Sequence, residues 1–335
     1  MYKKIIGIFV CMLLITTCVV PVMGELINIK KSSNSIKPLP SGNTSLKFMI
    51  AGNAPRAFRS YWLHVPPSYN GLDAVPLVIV LHGSTSGSPL WFFRSCLMEN
   101  YTEFSEKADE KGFIVVYPNG KYTFKYSEWN YCFGYIPNEF PKFVDDVGFL
   151  RDLIDKMKQD YAINSSRIYV TGLSAGAFMA YSAGAFLSDT VAAIAPTAGV
   201  IGCRNSENDS WSYIPDPTNP VSVIAFHGTS DSLVSYEGDS YIVSVNESIT
   251  FWVEHDGCNP IPEIDTSASG KIIQRAYTNG EKGTEVILYT TVGGEHWWPG
   301  NPWIARPSAP WLIDTIQEIS ATDLIWDFFE AHPKQ

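Results

Sequence analysis

The stretch RIYVTGLSAGAFMAY, residues 167–181, limits what this chain can fold into more than any other. A β-type run enters Gly172-Leu173-Ser174-Ala175-Gly176, and a small-residue helical run leaves it. A serine at the centre of Gly-x-Ser-x-Gly between a strand and a helix must occupy a strained turn that lifts its hydroxyl above the sheet. Glycines two residues to either side are needed because side chains there would strike the adjoining strand and helix. The five-residue pattern alone is common. Placed at a strand-to-helix junction, it reads as a nucleophile at Ser174 rather than a structural turn serine.

The rest of the chain alternates strand and helix around that turn. Phe58–Val65 and the apolar run Pro76–Leu81 read as strands, and a helical stretch around Tyr101–Lys111 leads to a strand at Phe113–Tyr117. Asp146–Tyr161 is amphipathic, with Val147, Leu150, Ile154 and Met157 at helical spacing. Strands follow at 167–170, 191–196, 221–226, 271–277 and 284–290, and helices at 175–187, up to Glu254, and at the end of the chain. Ser320 and Asp323 form a capping-box pattern for the last helix. Apolar strands alternating with helices predict an α/β fold with a mostly parallel sheet covered on both faces. With no internal repeat and no linker, residues 51–335 are expected to form a single catalytic domain. Three irregular stretches, 119–143, 201–220 and 293–315, each follow a strand and are expected at the carboxyl edge of the sheet, where open α/β sheets bind ligands.

A serine hydroxyl needs a base, and the base needs an orienting acid. With a nucleophile on such an elbow the chain order is Ser, acid, His. Asp231 lies in the loop after the β run Val221–Phe226, whereas Asp209 and Asp216 have no strand to position them and Asp256 sits at a helix end in a solvated setting. Among the later histidines, His255 ends a helix and His332 lies beyond the last one; only His296, in GGEHWWPG, follows a strand in a glycine-flanked loop. Asp231 and His296 are the expected partners of Ser174. The oxyanion hole is expected from the backbone N–H of Ala175 and, from the loop His82-Gly83-Ser84, the N–H of Ser84, with His82 shaping that loop.

Residues 1–24, with Lys3 and Lys4 ahead of the apolar run Ile5–Met23, read as a secretory signal peptide; an uncleaved membrane anchor is the alternative. Residues 25–50 read as a flexible leader. Losing Lys3 and Lys4 takes the net charge from −10 to −12, which disfavours nucleic acid. Four cysteines then remain, Cys96, Cys132, Cys203 and Cys258, an even count consistent with two disulfides in an exported protein. None lies in a zinc-binding pattern, so no metal site is expected.

Taken in order, LHGSTSG, SEWNYCFG, VDDVGFLRDLID, RIYVTGLSAGAFMAY, AFHGTSDSLV, FWVEHDGC and HWWPG resemble secreted feruloyl esterases of the first carbohydrate-esterase family and the related poly(3-hydroxybutyrate) depolymerase-like hydrolases. The resemblance covers roughly residues 55–333. It implies an α/β-hydrolase fold, a Ser174–Asp231–His296 triad, hydrolysis through an acyl-serine, and neither metal nor organic cofactor. Asp145 and Asp146 match a motif of the group, and capping the following helix is their simplest role. Two departures matter: Ser84 stands where depolymerase-like members often carry cysteine, and the chain ends just after its last helix, where polymer-degrading members commonly carry a further binding domain. Esters on plant cell-wall polysaccharide, feruloyl or acetyl on xylan, therefore rank ahead of short hydroxyalkanoate polyesters, with no obligatory protein partner. A peptidase or a non-catalytic binding protein on the same fold ranks lower. Trp129 in the aromatic segment 122–143, with Trp297 and Trp298, suits a hydroxycinnamoyl ring or a sugar face; the alternative is a hydrophobic cluster under the long loop, with Trp297 and Trp298 pinning the His296 loop. Cys132 and Cys203 both fall in loops at the expected carboxyl edge, which favours that pair and leaves Cys96 with Cys258.

Overall fold

The computed structural model describes residues 44–52, 57–86, 94–122, 126–131, 144–204, 209–300 and 318–335. Ten strands form one sheet: β1 (Thr44–Ala51), β2 (Ala57–His64), β3 (Val75–Leu81), β4 (Ile114–Pro118), β5 (Ile163–Leu173), β6 (Ala193–Thr197), β7 (Ser222–Gly228), β8 (Glu263–Thr266), β9 (Ile272–Tyr277) and β10 (Val286–Thr291). Their spatial order is β1-β2-β4-β3-β5-β6-β7-β10-β9-β8. The six central strands, β4 to β10 in that order, run parallel, and the pairs at both flanks are antiparallel.

Alternate residues along the central strands enter two separate cores, which is why these strands are apolar without interruption. Leu77, Ile79, Ile168, Val170, Ile194, Val223 and Leu288 face one layer of helices, α3 (Asp146–Asp160), α4 (Ala175–Phe186) and α5 (Val245–His255). Val78, Val80, Val115, Tyr169, Ala195 and Phe226 face the other, α1 (Arg94–Thr102), α2 (Phe104–Lys111) and α6 (Ala321–Ala331). The Ser320 hydroxyl caps α6, accepting the Asp323 N–H at 3.2 Å as the capping-box pattern requires.

Two local readings need correction. Residues 44–50, expected in a loose leader, belong to edge strand β1, in register with β2 from Thr44 opposite His64 to Ala51 opposite Ala57. The helical stretch expected around Tyr101–Lys111 is two helices, because Glu103 adopts the left-handed conformation (φ 54°) and breaks the run. Among the described residues no helix is long and apolar enough to cross a membrane; residues 1–24 lie outside them.

The switch in strand order falls at β3, whose successor β4 lies on one side and β5 on the other. Loops leaving the carboxyl ends of β3 and β5 therefore diverge and leave a crevice between them.

Candidate active site

Ser174 stands at the end of β5 with φ 58° and ψ −124°, a conformation non-glycine residues adopt only when their surroundings force it. The surroundings do. A Cβ at Gly172 would lie 2.5 Å from the carbonyl oxygen of Gly176, and one at Gly176 would lie 2.2 Å from that of Leu81. Only glycine lets strand, turn and helix approach this closely. The Ser174 N–H donates to the Thr197 carbonyl at 3.0 Å, and its hydroxyl makes no capping bond to α4. The Ala175 N–H opens the helix and has no intrahelical acceptor. The loop after β3 crosses directly over the elbow, since a side-chain carbon at Gly83 would come within 3.2 Å of the Ser174 Cβ. Ser84 follows it, exposed at the same edge.

Asp231 lies in the first turn after β7, with its carboxylate buried. One oxygen accepts the N–H groups of Leu233 (2.9 Å) and Val234 (2.8 Å). The other accepts Nδ1–H of His296 at 2.8 Å. A carboxylate can only accept, so the neutral imidazole carries its proton on Nδ1 and leaves Nε2 free as a base. The two loops are also tied through the backbone: the Ser230 N–H donates to Gly294 O at 2.8 Å and the Thr229 N–H to Thr291 O at 3.0 Å.

His227, which sequence reasoning passed over, is a third partner. Its Nε2–H donates to the Val234 carbonyl at 2.8 Å and lies 3.3 Å from the Asp231 oxygen that holds His296. Burial alone would raise the Asp231 pKa. Hydrogen bonds from His227 and His296, with the Val234 N–H, outweigh it and hold the carboxyl well below the usual range.

The three tryptophans expected at the substrate separate. Trp129 is fully buried; its indole N–H donates to the His82 carbonyl at 2.8 Å and its ring packs on the His82 ring at 5.0 Å. It braces the loop after β3 and is not a substrate wall, a correction. Trp298 is also buried: Nε1–H donates to Thr322 Oγ1 at 3.0 Å and the ring sits edge-on to Phe104, so it pins the His296 loop to the α1–α2–α6 layer. That too corrects the expectation. Trp297 is half-buried beside His296, and its indole N–H has no hydrogen-bond partner among the described residues.

His82 shapes its loop as expected: Nδ1–H donates to Gly83 O at 2.8 Å and Nε2 accepts the Gly120 N–H at 2.9 Å. Asp145 caps α3, accepting the Gly148 N–H at 2.7 Å. Asp146, also expected to cap, holds other partners instead. Buried, it pairs with Arg59, whose guanidinium lies 4.0 Å over the Phe149 ring, and it accepts the Asn130 N–H at 2.7 Å, next to Trp129.

Asp256 is not solvated, as its helix-end position implied, but fully buried, accepting the Val221 N–H at 3.1 Å at the opposite edge of the sheet. Cys203 is in a disulfide; Cys132, its expected partner, lies outside the described residues. Cys258 is a free, buried thiol, which overturns its pairing with Cys96. Among the described residues no cluster of His, Cys, Asp or Glu is arranged to hold a metal.

A family model described as Esterase PHB depolymerase matches residues 59–248, more than half of the chain. Feruloyl esterase B of Piromyces equi is 28% identical over 240 residues, spanning 69% of this chain and 41% of that protein. Poly(3-hydroxyalkanoate) depolymerase C of Paucimonas lemoignei is 26% identical over 256 residues, 71% of this chain and 58% of the relative. The chain thus spans about half the length of these two relatives. The solved structure of an acetyl xylan esterase from Aspergillus awamori superposes with a TM-score of 0.52 at 16% identity, covering 80% of this chain and 98% of that one. The shared architecture is the α/β-hydrolase fold.

Proposed function

The chain belongs to the esterase PHB depolymerase family, and from that premise we propose that it is a serine carboxylic-ester hydrolase with Ser174 as nucleophile, His296 as general base and Asp231 as the acid that orients it. The observation that carries this reading is the Asp231–His296 hydrogen bond of 2.8 Å at the edge where the strained elbow raises Ser174.

Ser174 Oγ attacks the ester carbonyl carbon while His296 Nε2 takes the hydroxyl proton. Charge collects on the former carbonyl oxygen, facing the N–H groups of Ala175 and Ser84. Collapse breaks the bond to the alcohol oxygen, which leaves with the proton from His296, and the acyl group remains on Ser174. Water then attacks the acyl-serine, again giving its proton to His296, and the carboxylic acid departs as Ser174 regains its hydrogen. Asp231 stays a carboxylate throughout and stabilises the imidazolium.

Esters carried on plant cell-wall polysaccharide, feruloyl or acetyl on xylan, are the first substrate class. The feruloyl esterase and acetyl xylan esterase among the similar proteins support this. Short hydroxyalkanoate esters are the second reading, favoured by the description of the family and by the depolymerase relative. Export, through a signal peptide at residues 1–24, and a single catalytic domain that begins with β1 at Thr44 and runs to residue 335 belong to the same proposal. Methyl ferulate, p-nitrophenyl acetate and a hydroxybutyrate oligomer assayed side by side test the class. Hydrolysis of ferulate and acetate esters with little on the oligomer supports the first reading, and the reverse profile replaces it with the second.

A further inference from the structure

A small sheet stands beside the site, and its outward face is aromatic. The strands Gly202–Arg204 and Trp211–Tyr213 pair antiparallel, with Gly202 opposite Tyr213, Cys203 opposite Ser212 and Arg204 opposite Trp211. A third row lies on the other side of the first strand: Cys203 bridges Ile242, the Arg204 N–H donates to Tyr241 O at 2.7 Å, and the Val243 N–H donates to Gly202 O at 3.1 Å. Residues opposite one another in paired strands share a face, and neighbours along a strand alternate. Cys203 and Ile242 turn inward and are buried, Cys203 in its disulfide. Trp211, Tyr213 and Tyr241 turn outward and are 41%, 45% and 54% exposed, with Arg204 between Trp211 and Tyr241 in register.

The solvent face of such a sheet is ordinarily polar. Here three rings occupy it, and Val243, opposite Gly202 on the same face, is buried beside the Tyr213 ring. They are also held in place. The Tyr213 ring lies against bare backbone, because a Cβ at Gly202 would be 2.8 Å from it. Its hydroxyl donates to Glu247 at 3.1 Å, and Arg204 pairs with Asp209 at 2.7 Å. The Trp211 and Tyr213 rings stand 6.3 Å apart at an interplanar angle of 35°, two adjoining facets of one surface.

The sheet belongs to the catalytic edge. The chain reaches it from the end of β6 by passing over the start of α4, where a Cβ at Gly199 would touch the Ala177 Cβ at 2.6 Å. Its third row lies in the segment that follows Asp231 after β7. Fixed rings with polar rims match a ligand that has apolar C–H faces and a hydroxyl edge. Pyranose units have that character. An aliphatic polyester presents no hydroxyl rim for Arg204 or Glu247 to meet.

We propose that Trp211, Tyr213 and Tyr241 form a platform for main-chain pyranose units of the polysaccharide whose ester enters the Ser174 site. This rests on the polysaccharide-ester reading of the substrate, and the test separates the two. Ser174→Ala protein is titrated with soluble arabinoxylan by affinity electrophoresis, alone and combined with Trp211→Ala or Tyr241→Ala. In parallel, kcat/KM on feruloylated arabinoxylan is divided by kcat/KM on methyl ferulate for the single platform variants. Each platform substitution is expected to weaken arabinoxylan binding roughly tenfold and to lower the activity ratio by a similar factor. If the enzyme cleaves no polysaccharide ester but the Ser174→Ala protein still binds arabinoxylan through Trp211, the substrate reading fails and the platform stands. No arabinoxylan binding, binding indifferent to both substitutions, or Trp211-dependent adsorption to polyester granules in place of arabinoxylan would each overturn it.

Discussion

The indole N–H of Trp129 donates to the carbonyl oxygen of His82 at 2.8 Å, so the loop that passes over Ser174 is fixed by a residue 47 positions away. Trp129 is in turn followed by Asn130, whose N–H is held by the buried Asp146 paired with Arg59. The result is a chain of contacts from α3 to His82, in the loop that carries Ser84. Trp129→Phe keeps most of the packing and removes a buried hydrogen bond to the His82 carbonyl, at a cost of about 1 kcal/mol. Thermal unfolding should show that loss. Steady-state kinetics on p-nitrophenyl acetate should show kcat lowered roughly three- to tenfold with KM changed little. A rise in KM at constant kcat would return Trp129 to substrate binding.

His227 is predicted to act through Asp231. Replacing it with Leu removes the donor shared by Val234 O and the carboxylate and should lower kcat roughly tenfold. His227→Gln, which keeps an N–H donor, should recover most of that loss. Equal damage from both substitutions would assign His227 to packing alone.

Asp256 makes stability depend on pH. Burial pushes its carboxyl up from an ordinary 3.8 to about 7; the Val221 N–H works against that and the Glu281 charge adds to it. The folded chain therefore holds this proton more tightly than the unfolded chain does. That contribution is complete below about pH 4 and is lost as pH rises through 7, by at most about 4 kcal/mol. Denaturant unfolding from pH 5 to 8.5 should show the decline. Asp256→Asn, which keeps the acceptor for Val221, should flatten it and be the more stable protein at pH 8.5.

Cys258 should remain a thiol. Burial raises its pKa to about 11, Asp256 adding to the effect, and thiolate is the reactive form. A maleimide should label it only after unfolding, while peptide mapping of unreduced protein finds Cys203 cross-linked. A mapped Cys96–Cys258 cross-link would contradict the structure.

What the sequence makes legible follows the range of the forces involved. The elbow is local, since the glycines at 172 and 176 are demanded by atoms within a few residues of Ser174 or in the adjacent strand, and so its pattern is visible in one short stretch. Asp231 and His296 are legible because strand order places them after β7 and β10 at one edge. Trp129 and Trp298 are not, because their environments come from partners 47 and 24 residues away. A buried brace and a substrate wall have the same composition. β1 is hidden by its Ser- and Lys-containing neighbourhood, although Leu46, Phe48 and Ile50 alternate as a strand should. Asp256 looks solvated because its burial comes from a distant turn, through which Glu281 donates its N–H to the Asp256 carbonyl at 2.7 Å.

Covalent trapping of the nucleophile reads the central claim in one step. Diethyl p-nitrophenyl phosphate should transfer one diethylphosphoryl group, and peptide mass spectrometry should place it on Ser174 with stoichiometric loss of esterase activity. Labelling should slow by orders of magnitude in His296→Ala and Asp231→Asn proteins. An adduct on any other residue, or full esterase activity in a protein phosphorylated at Ser174, would contradict the account.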